Sequence, residues 1–106
     1  ILARPADLPA TRRGAPRLLG IGAATDAAHL GARARPGRFA AKSVATRRAL
    51  EMAGIGPEAV VAAEVYDAYA GAELQGVAAL GLSENPVADL RAGRFDGGGA
   101  LPVNLS

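Results

Sequence analysis

Val60-Val61-Ala62-Ala63-Glu64-Val65-Tyr66-Asp67-Ala68-Tyr69-Ala70-Gly71-Ala72-Glu73-Leu74 is the stretch whose reading decides the fold. Its first part is short, apolar and rich in β-branched residues, which reads as a buried strand over 60–65. Beyond it, Leu74, Val77, Ala78 and Gly81 recur at three- and four-residue steps, the spacing of a helix over 68–80. Asp67 falls at the junction, where a short acceptor side chain can cap the first turn. A strand-to-helix turn in an α/β layer lies at the carboxyl edge of the sheet, where such folds bind and react. Tyr66, Asp67 and Tyr69 are therefore the polar groups to examine first.

Upstream, residues 41–53 read as a helix. Val44, Ala45, Ala49, Leu50, Met52 and Ala53 share a broad apolar face, with Lys42, Arg47, Arg48 and Glu51 largely outside it. Gly54 suits the position just past the helix end, with Ile55 placed to close it. Arg17-Leu18-Leu19-Gly20-Ile21-Gly22 reads as another strand, its glycines marking tight packing or a bend. Gly20-x-Gly22 is no dinucleotide fingerprint, because no third glycine and no helix follow in place. The order strand, helix, strand, helix predicts an α/β fold: a βαβα core with the strands near 17–22 and 60–65 parallel and adjacent, in a mixed sheet with helices on its faces. Residues 1–15, with Pro5, Pro9 and Gly14, read as a connector, and 16–106 as part of one domain. Residues 23–40 read as a loop around Gly31, Pro36 and Gly37. Its lone His29 is either a polar loop residue or, less in keeping with its surroundings, a catalytic one.

Downstream, Ser83-Glu84-Asn85-Pro86 is a turn, and Val87 to Gly93 fits a short surface helix. Gly97-Gly98-Gly99 is either a flexible loop or a cradle of backbone N–H groups for phosphate. The P-loop Lys-Ser/Thr does not follow it. Leu101-Pro102-Val103-Asn104 reads as a short edge segment whose Asn104 side chain can anchor a loop.

Composition narrows the classes. In 106 residues, half are hydrophobic but only 4% aromatic, so alanine and glycine make up a core of small side chains. Each buries little area, at about 25 cal/mol per Å², and a chain of this size is marginal alone. Cysteine is absent, which excludes disulfides, thiolate metal sites and a cysteine nucleophile within these residues; no metal site is expected. No apolar run approaches the roughly 20 residues of a membrane helix. The start, Ile1-Leu2-Ala3-Arg4, has neither initiator Met nor a signal-peptide layout, so the expected compartment is the cytoplasm and the chain reads as a piece of a longer protein. Residues 1–48 hold ten of the twelve Lys and Arg against Asp7 and Asp26, a balance of +8; residues 49–106 hold Arg91 and Arg94 against eight carboxylates, a balance of −6. The basic half fits a solvated face, or a contact to an acidic partner or a phosphorylated cofactor. A nucleic-acid partner is not expected, because no stacking aromatics or known module accompany the charge.

Two segments resemble one family. Glu64-Val65-Tyr66-Asp67-Ala68-Tyr69, with Ala72-Glu73-Leu74 and Ala79-Leu80-Gly81-Leu82, is similar to the C-terminal half of thiolase-like enzymes. The nearest look is to the lipid-transfer-protein (sterol carrier) thiolase branch, with its His-Asp-x-Phe motif and following Ala-Glu-Leu helix. Gly98-Gly99-Ala100-Leu101-Pro102-Val103-Asn104-Leu105-Ser106 resembles the glycine-rich run and Pro-Val-Asn-x-Ser of the same proteins. The resemblance covers 16–106 and implies part of a thiolase-like C-terminal α/β domain.

The resemblance implies an acyl-CoA enzyme of the acetyl-CoA acetyltransferase (thiolase) type, with coenzyme A thioester as substrate and no covalently bound cofactor. Such enzymes make or break a carbon–carbon bond beside the thioester carbonyl. They take a nucleophilic Cys from a first α/β copy and a His and often a Cys from the end of the second. Neither is in these residues, so the chain is expected to be a fragment, inactive alone. Fixed donors at the oxygen that gains charge supply several kcal/mol. Tyr66 stands at the family's His position and is the implied catalytic residue; Tyr69, at its Phe position, and Asn104 are implied substrate-binding residues. Packing alone also suits Tyr69, and a strand-end aromatic with its hydroxyl in water also suits Tyr66. Asp67 is expected to be a structural cap.

A phenol, with an ordinary pKa of about 10, donates readily but is a poor proton acceptor at neutral pH. Similar proteins of steroid side-chain breakdown carry Tyr here, act as retro-aldolases on a β-hydroxyacyl-CoA, and pair with a small OB-fold partner of the DUF35 type. That is the alternative enzyme reading. A non-catalytic acyl-CoA or lipid-binding module is the third. The resemblance also implies a homodimer, with the remainder of the thiolase-like chain as the first partner.

Overall fold

The three α-helices of the described residues all end in the same way. In the computed structural model, which describes residues 3–12, 14–33, 35 and 37–105, they are α1 (Ala40–Ala53), α2 (Ala70–Ala79) and α3 (Pro86–Arg91). At the end of α2 the Gly81 N–H donates to the Ala78 carbonyl at 3.0 Å and the Leu82 N–H to the Val77 carbonyl at 3.2 Å. This pair of bonds satisfies carbonyls that the helix leaves open, and it needs a left-handed residue. Gly81, at φ 71°, supplies it without a Cβ penalty. The same bond pair closes α1 at Gly54 and Ile55 and α3 at Gly93 and Arg94. Helix α3 opens on Asn85, whose side chain accepts from the Ala88 N–H, followed by Pro86 in the first turn. Pro36 of the predicted loop, Ser106 of the terminal motif, and Ile1 and Leu2 lie outside the described residues.

The expected sheet does not form. Among the described residues there is no βαβα core, and the segments 17–22 and 60–65 do not pair with each other. The one β-contact is an isolated parallel bridge between Ala63 and Val103. Residues 17–22 instead lie against α1. The backbone of Gly20 approaches the Ala49 carbonyl so closely that a Cβ would overlap it, and Gly22 meets the Ala45 carbonyl in the same way. The Arg48 guanidinium bonds the Ala23 carbonyl at 2.6 Å. The absent side chains therefore seat an extended segment on a helix.

The bridge at Ala63 stays isolated for a local reason. Pro102 has no N–H to give a ladder, and Asn104, at φ 53°, leaves the extended region. Pairing with 101–105 is thus limited to Ala63 N–H to Pro102 O at 3.0 Å and Asn104 N–H to Ala63 O at 2.9 Å.

The core sits under α2. Val77, Leu82, Phe95, Leu101 and Val103 form its buried cluster, with Val60, Ala63, Val65, Leu74 and Leu80 packed against it. Helix α2 packs against both α1 and α3. It begins at Ala70 rather than at residue 68. Helix α1 buries no residue fully, and Met52, expected on its apolar face, is 63% exposed. Beside α3, Ser83 Oγ donates to Asp89 Oδ2 at 2.6 Å and Arg94 Nη1 donates to the same oxygen at 2.6 Å. This network staples the loop after α2 to α3.

Much apolar surface remains open. The accessible surface is 7832 Å², against about 5,500 Å² expected for a compact monomer of this mass. Leu18, Leu19, Ile21 and Val61 are all exposed. No helix of the described residues is long and apolar enough to cross a membrane.

Candidate functional site

The candidate site is the junction between the extended segment 60–65 and α2. Its floor is tied down by hydrogen bonds to the C-terminal segment. After the Ala63–Val103 bridge, the Val65 N–H donates to Asn104 Oδ1 at 2.7 Å. The Leu105 N–H donates to Glu64 Oε1 at 3.0 Å. Val65 and Val103 face the core below. The chain therefore reaches Tyr66 from a held position and then runs exposed through Ala70.

Tyr66 projects from this junction and is 76% exposed; Tyr69 is 61% exposed. Neither ring belongs to the buried core cluster. Tyr69 occupies the N-cap position of α2, with no side-chain hydrogen bond there. The cap expected at Asp67 is accordingly corrected: Asp67 lies two residues ahead of the N-cap and is exposed. Its short side chain is one residue pair too early to meet the first-turn N–H groups.

Asn104 is partly buried. Its Oδ1 is engaged by Val65, while its Nδ2 is buried with no hydrogen-bond partner among the described residues. The structure thus brings Asn104 to the segment that carries Tyr66, across 39 positions of sequence. Glu64 enters the same cluster, a part that its place in the motif alone does not assign. His29 accepts the Gly31 N–H through Nδ1 at 3.2 Å, a local loop contact. Among the described residues no group of three or more His, Asp or Glu side chains is arranged to hold a metal ion.

Two open grooves lie elsewhere. One of about 560 Å³ runs between the C-terminal ends of α1 and α2, along Leu50, Ile55 and Leu80. The other, about 750 Å³, lies between Arg38, Phe39, Gln75 and Val87. Neither is lined by Tyr66, Asp67, Tyr69 or Asn104.

The model of a family described as thiolase C-terminal domain-like matches residues 22–106. The chain belongs to the thiolase C-terminal domain-like family. No curated protein matches it. The family match takes in both the Glu64–Leu74 motif and the Pro102–Asn104 motif, and these are the two segments that the Ala63, Val65 and Glu64 hydrogen bonds join. In this thiolase-like chain the two motifs are therefore one structural unit. Tyr66 carries its phenolic hydroxyl on an exposed side chain.

Proposed function

We propose that this chain is part of a longer thiolase-like acyl-CoA enzyme, of the lipid-transfer-protein branch, that forms or cleaves a carbon–carbon bond beside a coenzyme A thioester. In this reading Tyr66 is the donor to the reacting oxygen, a role that its exposure at the junction supports. The observation that carries this reading is the exposed Tyr66 side chain on a junction held by both family motifs. A phenol fixed beside a thioester carbonyl stabilises the negative charge that grows on its oxygen during bond making or breaking. Asn104 and Tyr69 are the proposed substrate-side neighbours. The nucleophile and the remaining acid–base groups belong to the rest of the proposed longer chain.

The second reading, retro-aldol cleavage of a β-hydroxyacyl-CoA, is favoured by one residue, Tyr66 at the position where the family motif carries His. In that reaction the β-hydroxyl gives up its proton and the bond between Cα and Cβ breaks. Its electron pair passes to the thioester enolate, which takes up a proton at Cα. A hydrogen-bond donor serves the enolate without having to accept a proton, which suits a phenol. An OB-fold protein partner and a homodimer accompany this reading as proposals.

The test is to assay the intact protein carrying this chain for thiolysis and for retro-aldol cleavage, as wild type and as Tyr66→Phe. The substitution keeps the ring and deletes the hydroxyl. Loss of about 10²–10³ in turnover in one assay, with CoA ester still bound, is expected and selects the reaction. Wild-type turnover by Tyr66→Phe in both assays rejects the site.

A further inference from the structure

Asn104 interrupts an otherwise extended segment and makes two kinds of bond to its neighbour. Its main-chain N–H donates to the Ala63 carbonyl at 2.9 Å and its side-chain Oδ1 accepts the Val65 N–H at 2.7 Å. In a regular parallel pairing, the N–H two residues past Ala63 would go to the main-chain carbonyl of Asn104. At φ 53° the main chain has left the extended conformation, and the side-chain carbonyl stands in for it. Asn is among the few side chains that tolerate this backbone region. Beyond Val65 the main chain of Tyr66, Asp67 and Ala68 makes no hydrogen bond among the described residues. The Val65 bond is thus the last main-chain tie before Tyr66.

We infer that Asn104 is a positioning residue for Tyr66, its side-chain amide holding the peptide that leads into Tyr66 where the pairing of the two segments stops. The inference rests on the proposed role of Tyr66 and deepens it. The same residue type at this place answers two demands, a left-handed backbone and an acceptor one side chain away. Glycine meets the first alone. Aspartate meets both, and sets an ionised oxygen where the buried, unpartnered Nδ2 stood.

The test uses the intact protein with Asn104→Gly and Asn104→Asp. Amide hydrogen exchange at Val65 reads the bond directly; steady-state thiolysis of acetoacetyl-CoA, and cleavage of a β-hydroxyacyl-CoA, read its consequence. In Asn104→Gly we expect Val65 to lose its exchange protection and kcat to fall about 10–100-fold with KM little changed, the pattern of a misplaced group. Asn104→Asp keeps the acceptor, so it should retain the Val65 protection and more of kcat than Asn104→Gly. Val65 remaining protected in Asn104→Gly overturns the inference. So does lost protection with full kcat, because Asn104 then holds the loop without acting through Tyr66. If Tyr66→Phe itself retains full turnover, the functional reading fails instead, and the exchange measurement still decides whether Asn104 holds the loop.

Discussion

Asn104 Oδ1 accepts the Val65 N–H at 2.7 Å, taking the place that a main-chain carbonyl would hold in a continued parallel pairing. One side chain thereby ends a β-contact and keeps its geometry for one more residue. Tyr66 begins where that hold ends, and its side chain is exposed to solvent.

The two tyrosines are expected to separate in function although both are exposed. Tyr66→Phe loses most turnover in the intact protein. Tyr69→Phe, at the position where the family carries Phe, changes kcat by less than about twofold, because no transition-state donor is removed. Parallel kinetics on the two variants check this; equal losses contradict it.

Val77 is wholly buried at the centre of the core cluster. Val77→Ala removes two buried carbons and leaves a cavity, so we expect a loss of roughly 2–3 kcal/mol. Urea unfolding midpoints of the two proteins measure it.

Gly22 lies where a Cβ would overlap the Ala45 carbonyl, whereas a Cβ on Gly98 meets nothing within 4 Å. Gly22→Ala is expected to push residues 17–22 off α1 and cost about 1–3 kcal/mol, as overpacking does. Gly98→Ala is the control and should stay within about 0.5 kcal/mol of wild type. Similar midpoints for both variants rule out the close seating of the extended segment.

Asp89 is held below the usual carboxylate range, first by the Ser83 hydroxyl, then by the Arg94 hydrogen bond and, more weakly, its charge, with burial opposing. A lowered folded-state pKa means that the network stabilises fully above the unfolded Asp value, about 4, and that this contribution is lost as the pH falls through the lowered value. Unfolding midpoints of wild type should therefore drop more steeply as the pH falls below about 4 than those of Asp89→Asn. Parallel pH profiles remove Asp89 from the acid response.

The open surface of 7832 Å² predicts weak autonomous stability for these 106 residues. At low concentration the isolated chain should melt broadly and early, and bind a hydrophobic dye before melting. A sharp calorimetric transition above about 65 °C from a monomer, the upper edge of ordinary domains, contradicts this.

The sequence by itself determines the helices and where they stop. Bonds within a helix reach only four residues, and the closing pairs at Gly54, Gly81 and Gly93 involve neighbours; both are written in local residue order. The two family motifs are likewise legible, as is the prominence of Tyr66. The state of the extended segments is not. An apolar run such as Val60–Val65 serves a sheet or a single bridge equally well, and Gly20 and Gly22 suit a strand bend or a seat on a helix. The choice depends on which main-chain groups arrive alongside, and only the tertiary structure brings Pro102 and Asn104 to Ala63 and the α1 backbone to Gly20. The start of α2 at Ala70 leaves Asp67 outside the cap, a boundary that local spacing did not fix. Val65 is fastened to Asn104 from across the chain, and residues 66–69 run from there to α2 as exposed chain.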